Sequence, residues 1–363
     1  MWFYILKGQR RFMMRRMRIL RLFFGLLAAF AWAEVAHAQE PKTFTVLVGA
    51  EDASVGAVAN SFFPDTLLVH VGDTVHWQRN ANEIHTVSFL AGTPMPDLII
   101  PAPDGQPSPL MFNPLAALPT APDKGQYDGT TYANSGIIGP DPGQAESFDL
   151  TFTTPGTYNY VCLVHGVSMS AQIIVLDYPA EIPTPREVHK EAKRLIAAAL
   201  AQVPVAVALA TAEIPPPTQN SDGTTTFHVL IGFSMGQLDL VRFFPDELTV
   251  HPGDTVEWKL SNEDMAPHTV TFLNGNPEPD VVLPVPQPNG PPLLLFNPAV
   301  LFPQNAGQPL TSQGIYSAGL LNPVPGGATS FAFQIGDISG LLPYKCLLHD
   351  SSGMLGLLEV KPR

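Results

Sequence analysis

Val69-His70-Val71-Gly72-Asp73-Thr74-Val75-His76-Trp77 returns 181 residues later as Val250-His251-Pro252-Gly253-Asp254-Thr255-Val256-Glu257-Trp258. In the first copy Val69, Val71, Val75 and Trp77 alternate with polar positions on either side of Gly72-Asp73. That is the pattern of two half-buried strands joined by a tight turn. The recurrence extends outward in both directions. Thr43–Gly49 (TFTVLVG) recurs as Thr226–Gly232 (TFHVLIG), and Phe63-Pro64-Asp65 as Phe244-Pro245-Asp246. His85–Leu90 (HTVSFL) recurs as His268–Leu273 (HTVTFL), and Cys162-Leu163-Val164-His165 as Cys346-Leu347-Leu348-His349. The offset stays between 181 and 185 residues, too long a period for a solenoid and right for a duplicated domain.

Further strands follow within each copy. Phe148, Leu150 and Phe152 alternate, Pro155-Gly156 turns the chain, and Tyr158, Tyr160 and Cys162 alternate again. A last strand is expected over 171–176 in the first copy and 355–360 in the second. Short strands separated by turn signals predict an all-β fold, an antiparallel sandwich in each copy. The expected domains span 42–177 and 224–361. Between them, 178–223 reads as a linker with a helix over about 185–202: Thr184 caps it, Pro185 takes the first helical position and Glu187 completes a capping box. Pro204 marks its end, and Pro215-Pro216-Pro217 is a stiff spacer. Each copy also carries a long Pro-rich insert, between Leu90 and Gln144 and between Leu273 and Gly327, with a Phe-Asn-Pro at 112–114 and 296–298. The expectation for each insert is a structural flap over one sheet edge.

The 363-residue chain is 45% hydrophobic and only 14% charged, too apolar for a disordered chain, and its 38 prolines exceed ordinary usage. Residues 1–38 read as a signal peptide, the alternative being an uncleaved anchor. Arg10, Arg11, Arg15, Arg16, Arg18 and Arg21 form a basic region, Leu22–Ala33 a short apolar run, and Ala36-His37-Ala38 a small-residue cleavage site. Export to the periplasm, cell surface or extracellular space is therefore expected, with no stable membrane span in the mature chain. Residues 1–38 hold seven basic residues and one acidic one. Without them the chain has 12 Lys+Arg against 31 Asp+Glu, a net charge of −19. That excludes nucleic acid as an expected partner, since phosphate binding needs a basic surface. It suits a basic partner met at a salt-dependent rate.

The only cysteines are Cys162 and Cys346. In an exported protein two cysteines suggest one disulfide, but each of these sits in a recurring constellation. The first copy offers His85, Cys162, His165 and Met169; the second offers His268, Cys346, His349 and Met354. Two imidazoles and a thiolate in a trigonal plane, with a weak axial thioether, make a type 1 copper site. In each copy the last three are expected on one loop between the final two strands, and the first His at the head of another strand. Taken singly, a buried Cys is often a small hydrophobe and a Met is often core. Those readings must coincide twice in one order to explain the pattern. The remaining histidines, His70, His76, His189, His228 and His251, form no His-x-His pair.

The order His…Cys-x2-His-x3/4-Met, downstream of a Gly-Asp-Thr-Val turn, resembles the plastocyanin/azurin family of cupredoxins. The resemblance covers about 42–177 and 224–361. It implies two tandem Greek-key β-sandwiches and two type 1 copper ions, one held by His85, Cys162, His165 and Met169, the other by His268, Cys346, His349 and Met354. It also implies an electron carrier, not an enzyme, working with redox protein partners, with His165 and His349 as the exposed edges through which electrons pass. The first copy, with uncharged Gly166, Val167 and Ser168, is expected to dock through an apolar patch, and the second, with Asp350, more through charge. The spacing Cys-x2-His-x4-Met of the second copy matches plastocyanin; the first is one residue shorter, which bears on the axial role of Met169. The His-to-Cys separations of 77 and 78 residues are longer than plastocyanin's. Two other functions stay open: a two-domain multicopper oxidase or nitrite reductase, and a non-redox copper storage or delivery protein. The first would need histidines beside the cysteines, where this chain has Val161, Leu163, Lys345 and Leu347. The second would favour clustered Met or His, and the ten Met here do not cluster.

Overall fold

Trp77 and Trp258, both fully buried, mark the centres of two β-sandwiches. Each indole meets a Phe and a Tyr edge-on: Phe89 and Tyr160 at 5.6 and 5.4 Å around Trp77, Phe272 and Tyr344 at 5.8 and 5.5 Å around Trp258. Such contacts add to the stabilisation from burying the rings themselves. The computed structural model describes residues 40–324 and 326–363; the signal peptide expected at 1–38 lies outside the described residues.

In the first repeat one sheet runs β2 (Ala57–Phe63), β1 (Thr43–Asp52), β4 (Thr74–Arg79), β10 (Ser147–Phe152), β8 (Gln126–Tyr127). The facing sheet runs β3 (Thr66–His70), β12 (Gly166–Leu176), β11 (Gly156–Cys162), β5 (Ser88–Phe89), β9 (Ala133–Asn134). The second repeat repeats the plan. Its sheets run β15 (Leu238–Phe244), β14 (Thr225–Met235), β17 (Thr255–Leu260), β22 (Ser330–Gln334), and β16 (Glu247–Val250), β24 (Leu355–Val360), β23 (Gly340–Lys345), β18 (Thr271–Phe272), β21 (Tyr316–Ser317). A short β13 (Thr218–Gln219) pairs with β14.

The sheets are mixed, which corrects the purely antiparallel sandwich expected. β1 pairs parallel with β4, and β12 with β3. The cause is the path of the chain. After the β1–β2 hairpin it crosses to the facing sheet as β3 and returns beside β1, running the same way. Alternation along one strand shows which residues turn inward but not which strand lies alongside.

The two repeats are not beads on a linker. β2 pairs antiparallel with its counterpart β15, Leu238 opposite Ala59 and Leu240 opposite Ala57, so one ten-stranded sheet runs through both sandwiches. The Asn60 N–H donates to Gln237 O at 2.8 Å, and the Asn60 side chain donates to the Asp239 carboxylate at 2.7 Å. The Pro-rich inserts also meet. β6 (Ile99–Pro101) and β7 (Leu110–Phe112) from one join β19 (Val282–Val285) and β20 (Leu293–Phe296) from the other in a four-stranded sheet, with Leu295 opposite Met111. Phe112 stacks on Phe296, centroids 4.7 Å apart. The inserts are therefore the second seam between the repeats rather than flaps. An edge strand leaves N–H and C=O groups unpaired, and here β7 and β20 supply each other's partner.

The linker helix covers Pro185–Leu200, with the Thr184–Glu187 capping box formed. It stops short of the expected 202, and a second helix, Val203–Glu213, follows with Pro204 in its first turn rather than beyond an end. Proline is tolerated there because the first N–H groups of a helix have no partner in it. Ala192, Leu195, Ile196 and Ala199 pack on Leu47, Ala50, Ala59 and Phe63. Ala206 and Ala210 pack on Leu230, Phe233, Leu240 and Phe244. The helical run Pro185–Glu213 is long and apolar enough to cross a membrane by length and composition; in this structure its two parts lie along the shared sheet.

Candidate metal centre

In each repeat the β-sandwich delivers two imidazoles and a thiol to one point. His85, Cys162 and His165 place their donor atoms within 4.8 Å of one another, and so do His268, Cys346 and His349. In the first centre the Cys162 Sγ lies 4.0 Å from His85 Nδ1 and 3.4 Å from His165 Nδ1. In the second the Cys346 Sγ lies 3.8 Å from His268 Nδ1 and 3.5 Å from His349 Nδ1, with the two Nδ1 atoms 3.1 Å apart. Both cysteines are free and buried, so the only thiols are not a disulfide.

The strands fix these positions. Cys162 is the last residue of β11, and β12 begins at Gly166 in the left-handed region, so only Leu163, Val164 and His165 form the turn. Met169 thus stands within β12 rather than on the loop expected for it. In the second repeat the loop is longer: a 3-10 turn, Asp350–Ser352, and Gly353 at φ 95° separate His349 from Met354. Both methionines are fully buried, each in the same apolar cluster as the cysteine of its repeat. The remote histidines are pinned by backbone ladders, His85 to Ile138 and His268 to Leu321, with N–H donated in both directions at 2.8 Å.

The residue after each remote His does double duty. The Thr86 N–H donates to Cys162 Sγ at 3.3 Å while the Thr86 hydroxyl accepts from the Leu163 N–H at 2.7 Å. Thr269 does the same for Cys346 and Leu347, at 3.3 and 2.8 Å. The threonine thereby ties the two ligand-bearing segments together and places a donor on the sulfur. The recurring His-Thr-Val was visible in the sequence, and only the fold shows the threonine bridging to the loop.

The first remote imidazole also needs a glycine. Gly49, at φ 71°, is the bulge in β1, and a Cβ there would lie 2.6 Å from His85 Nε2. That Nε2 is buried with no hydrogen-bond partner. In the second repeat the equivalent Gly232 backs onto the Asp264 carboxylate, which lies 3.1 Å from His268 Nε2 although off the line a good hydrogen bond needs. Asp264 occupies the place of Ala81, four residues before each remote histidine.

This difference sets the electrostatics. Burial pushes His85 well below the usual histidine value, and burial with the nearby His349 lowers His165 to about 3. Burial also pulls on His268, but the Asp264 carboxylate and the Cys346 sulfur outweigh it and raise the imidazole. Burial raises the Cys162 thiol. At Cys346 burial works the same way, yet His349 and His268 overcome it and hold the thiol well below its usual value.

His349 is only 4% exposed, which corrects the expectation that it is a solvent-facing edge. The first repeat covers it: Glu83 Oε2 lies 3.4 Å from His349 Nε2, the Asn82 amide donates to Ser351 O, and the Ser352 hydroxyl donates to Glu51. His165 is half-buried. Both His165 and His349 line a single cavity of about 1160 Å³ between the repeats, with Asp141, Glu278, Asp280 and Asp350 also among its lining residues.

Solved structures similar to this chain are plastocyanins and amicyanins. A mutant plastocyanin of fern is 22% identical, with a TM-score of 0.22, over 37% of this chain and 99% of its own. The oxidized plastocyanin of Dryopteris crassirhizoma is 21% identical over the same shares, again at 0.22. A mutant oxidized amicyanin is 21% identical at 0.22, over 40% of this chain and 88% of its own. No family model matches the chain. At such TM-scores the likeness carries no weight for the ligand set, which stands on the distances within this chain.

The donor chemistry is the test of fit. A soft cysteine sulfur and two imidazole Nδ1 atoms suit copper better than magnesium or calcium, which take oxygen ligands, and match the His2Cys part of a type 1 arrangement. Both centres pass.

Proposed function

We propose that this chain is an exported electron carrier with two type 1 copper centres, one held by His85, Cys162, His165 and Met169, the other by His268, Cys346, His349 and Met354. The observation that carries the reading is the twofold convergence of His, Cys and His donor atoms within 4.8 Å. When bound, copper supplies a one-electron Cu(I)/Cu(II) couple. The chain's own part is to hold the donors still. Paired strands fix Cys162 and the segment carrying Cys346, backbone ladders fix His85 and His268, and Thr86 and Thr269 lock loop to strand. A donor set held in place by a rigid scaffold changes little between oxidation states, which keeps electron transfer fast. The Thr86 and Thr269 N–H groups draw charge from the sulfurs, and the buried surroundings keep water from the donors.

The carrier reading is favoured over an oxidase or nitrite reductase because Cys162 is flanked by Val161 and Leu163, and Cys346 by Lys345 and Leu347, where such enzymes would carry histidines. Two closed thiolate sites also favour it over copper storage. Asp141 and Asp280 on the wall of the shared cavity, beside the Lys345-paired Glu278 and Asp350, fit a basic redox partner. Copper titration followed by absorption and EPR tests the reading. Two equivalents of copper, an intense visible copper–thiolate band and a reversible potential are expected, with half the band lost in Cys162→Ala and half in Cys346→Ala. A colourless protein that binds only Cu(I), or an additional type 2 signal, overturns it.

A further inference from the structure

The repeats place the same three donors in the same frame but surround them with different charges. At the first centre the outer nitrogen of His85 is buried against Gly49 and Ala81, and among the described residues no carboxylate pairs with either histidine of that centre. At the second both outer nitrogens face a carboxylate. His268 Nε2 is 3.1 Å from Asp264 Oδ2, with both side chains essentially inaccessible. His349 Nε2 is 3.4 Å from Glu83 Oε2, a residue contributed by the first repeat.

We propose that Asp264, supported by Glu83, is a positioning residue that makes the second centre the one of lower reduction potential, so that an electron delivered to the chain comes to rest at the first centre. A carboxylate at the far nitrogen of a metal-ligating imidazole fixes the ring and makes it a stronger donor. A fixed negative charge in a site closed to water also acts at low effective dielectric. Both effects favour the more highly charged Cu(II) over Cu(I), and so lower the potential. The first centre lacks them: its remote imidazole has no carboxylate at its outer nitrogen and is enclosed by Ala81 and the Gly49 backbone, which favours Cu(I). The direction follows from the difference in potential, and the electrons balance. Cu(I) at the second centre gives up one electron and becomes Cu(II), while Cu(II) at the first takes that electron and becomes Cu(I). The two histidines nearest the exchange, His349 and His165, line one cavity between the repeats.

The proposal rests on the copper reading, and the experiment separates the two. Spectroelectrochemical titration of the full chain is expected to resolve two one-electron steps. Cys346→Ala, which leaves the first centre, retains the higher step, and Cys162→Ala retains the lower. Asp264→Asn keeps the shape of the side chain and removes its charge. It is expected to weaken Cu(II) relative to Cu(I) at the second centre by about tenfold, which is about 59 mV for one electron, and to leave the first step unmoved. Glu83→Gln is expected to shift the same step in the same sense by less. If the blue bands are intact but the two steps coincide, or if Asp264→Asn moves both or neither, the inference fails while the copper reading stands. If no thiolate band forms at all, the copper reading has failed instead.

Discussion

Glu83 Oε2 in the first repeat lies 3.4 Å from Nε2 of His349 in the second, so one sandwich closes the metal centre of the other. Burial raises the Glu83 carboxyl, while His349 opposes that shift. In the other direction Gln237 of the second repeat donates to Ser168 O, beside the ligand loop of the first, at 2.7 Å. The two ligand loops are thus held by the neighbouring repeat as well as by their own strands.

Glu83→Ala opens that cover. Chelator removal of copper from the second centre is expected to speed up by about tenfold, the lower end of what an outer partner of a ligand contributes, with the first centre unchanged. Stopped-flow bleaching of the thiolate band in the Cys162→Ala background measures it. Equal rates with and without Glu83 would show that the cover is open in solution.

Gly49→Ala is expected to damage the first centre alone. A methyl there would sit 2.6 Å from His85 Nε2 and 2.9 Å from Ala81 Cβ, on backbone at φ 71°. The left-handed conformation alone costs about 1–2 kcal/mol for a residue with a Cβ. The ring must move, and copper affinity at the first centre should fall by about tenfold or more. Isothermal titration of the Cys346→Ala background with copper, with and without the change, reads this; undiminished affinity would mean that His85 is not held by the bulge.

Much of this was legible in the sequence, and what was not has one cause. The duplication, the sandwich strands around Trp77 and Trp258, the Thr184–Glu187 helix start and the two His/Cys/His sets can each be read from local pattern. What escaped depends on which distant segment lies beside which. The alternation of β2 and β15 does not show that each is the other's neighbour. The Phe112 and Phe296 segments look like two separate flaps until they are seen to stack. The family resemblance implies an exposed His349, and it is buried by a residue 266 positions away in sequence. Asp264 gave one usable signal, an acid where the first repeat has Ala81, but only the bulge geometry at Gly232 shows that it faces the imidazole.

Phe112→Ala and Phe296→Ala should expose the seam between the inserts. Each ring is 6% exposed, and removing a buried Phe costs about 3–5 kcal/mol. The stack itself should appear as a coupling of about 0.5–1.5 kcal/mol in the double-mutant cycle. Urea unfolding of wild type, the two single variants and the double variant measures both quantities. Strict additivity would place the rings out of contact.

The metal-free chain should lose stability on acidification through the first centre. Burial holds His85 well below the usual value, and His165 lies at about 3, whereas an unfolded histidine titrates near about 6.5. Below about 6.5 the unfolded chain therefore binds protons that the folded chain refuses, and stability rises with pH across that window. The loss begins as pH falls past the unfolded value, and the His165 share of it levels off near 3, where that imidazole takes a proton in the folded state. Each refused proton contributes at most about 1.4 kcal/mol per pH unit. Carboxylates titrate in part of the same range, so the comparison that isolates the histidines is wild type against His85→Gln, both metal-free, by urea unfolding between pH 4.5 and 7. The variant should show the shallower acid slope. Equal slopes would mean that the imidazole reaches water before the fold is lost, and that the first centre is less tightly closed than its geometry implies.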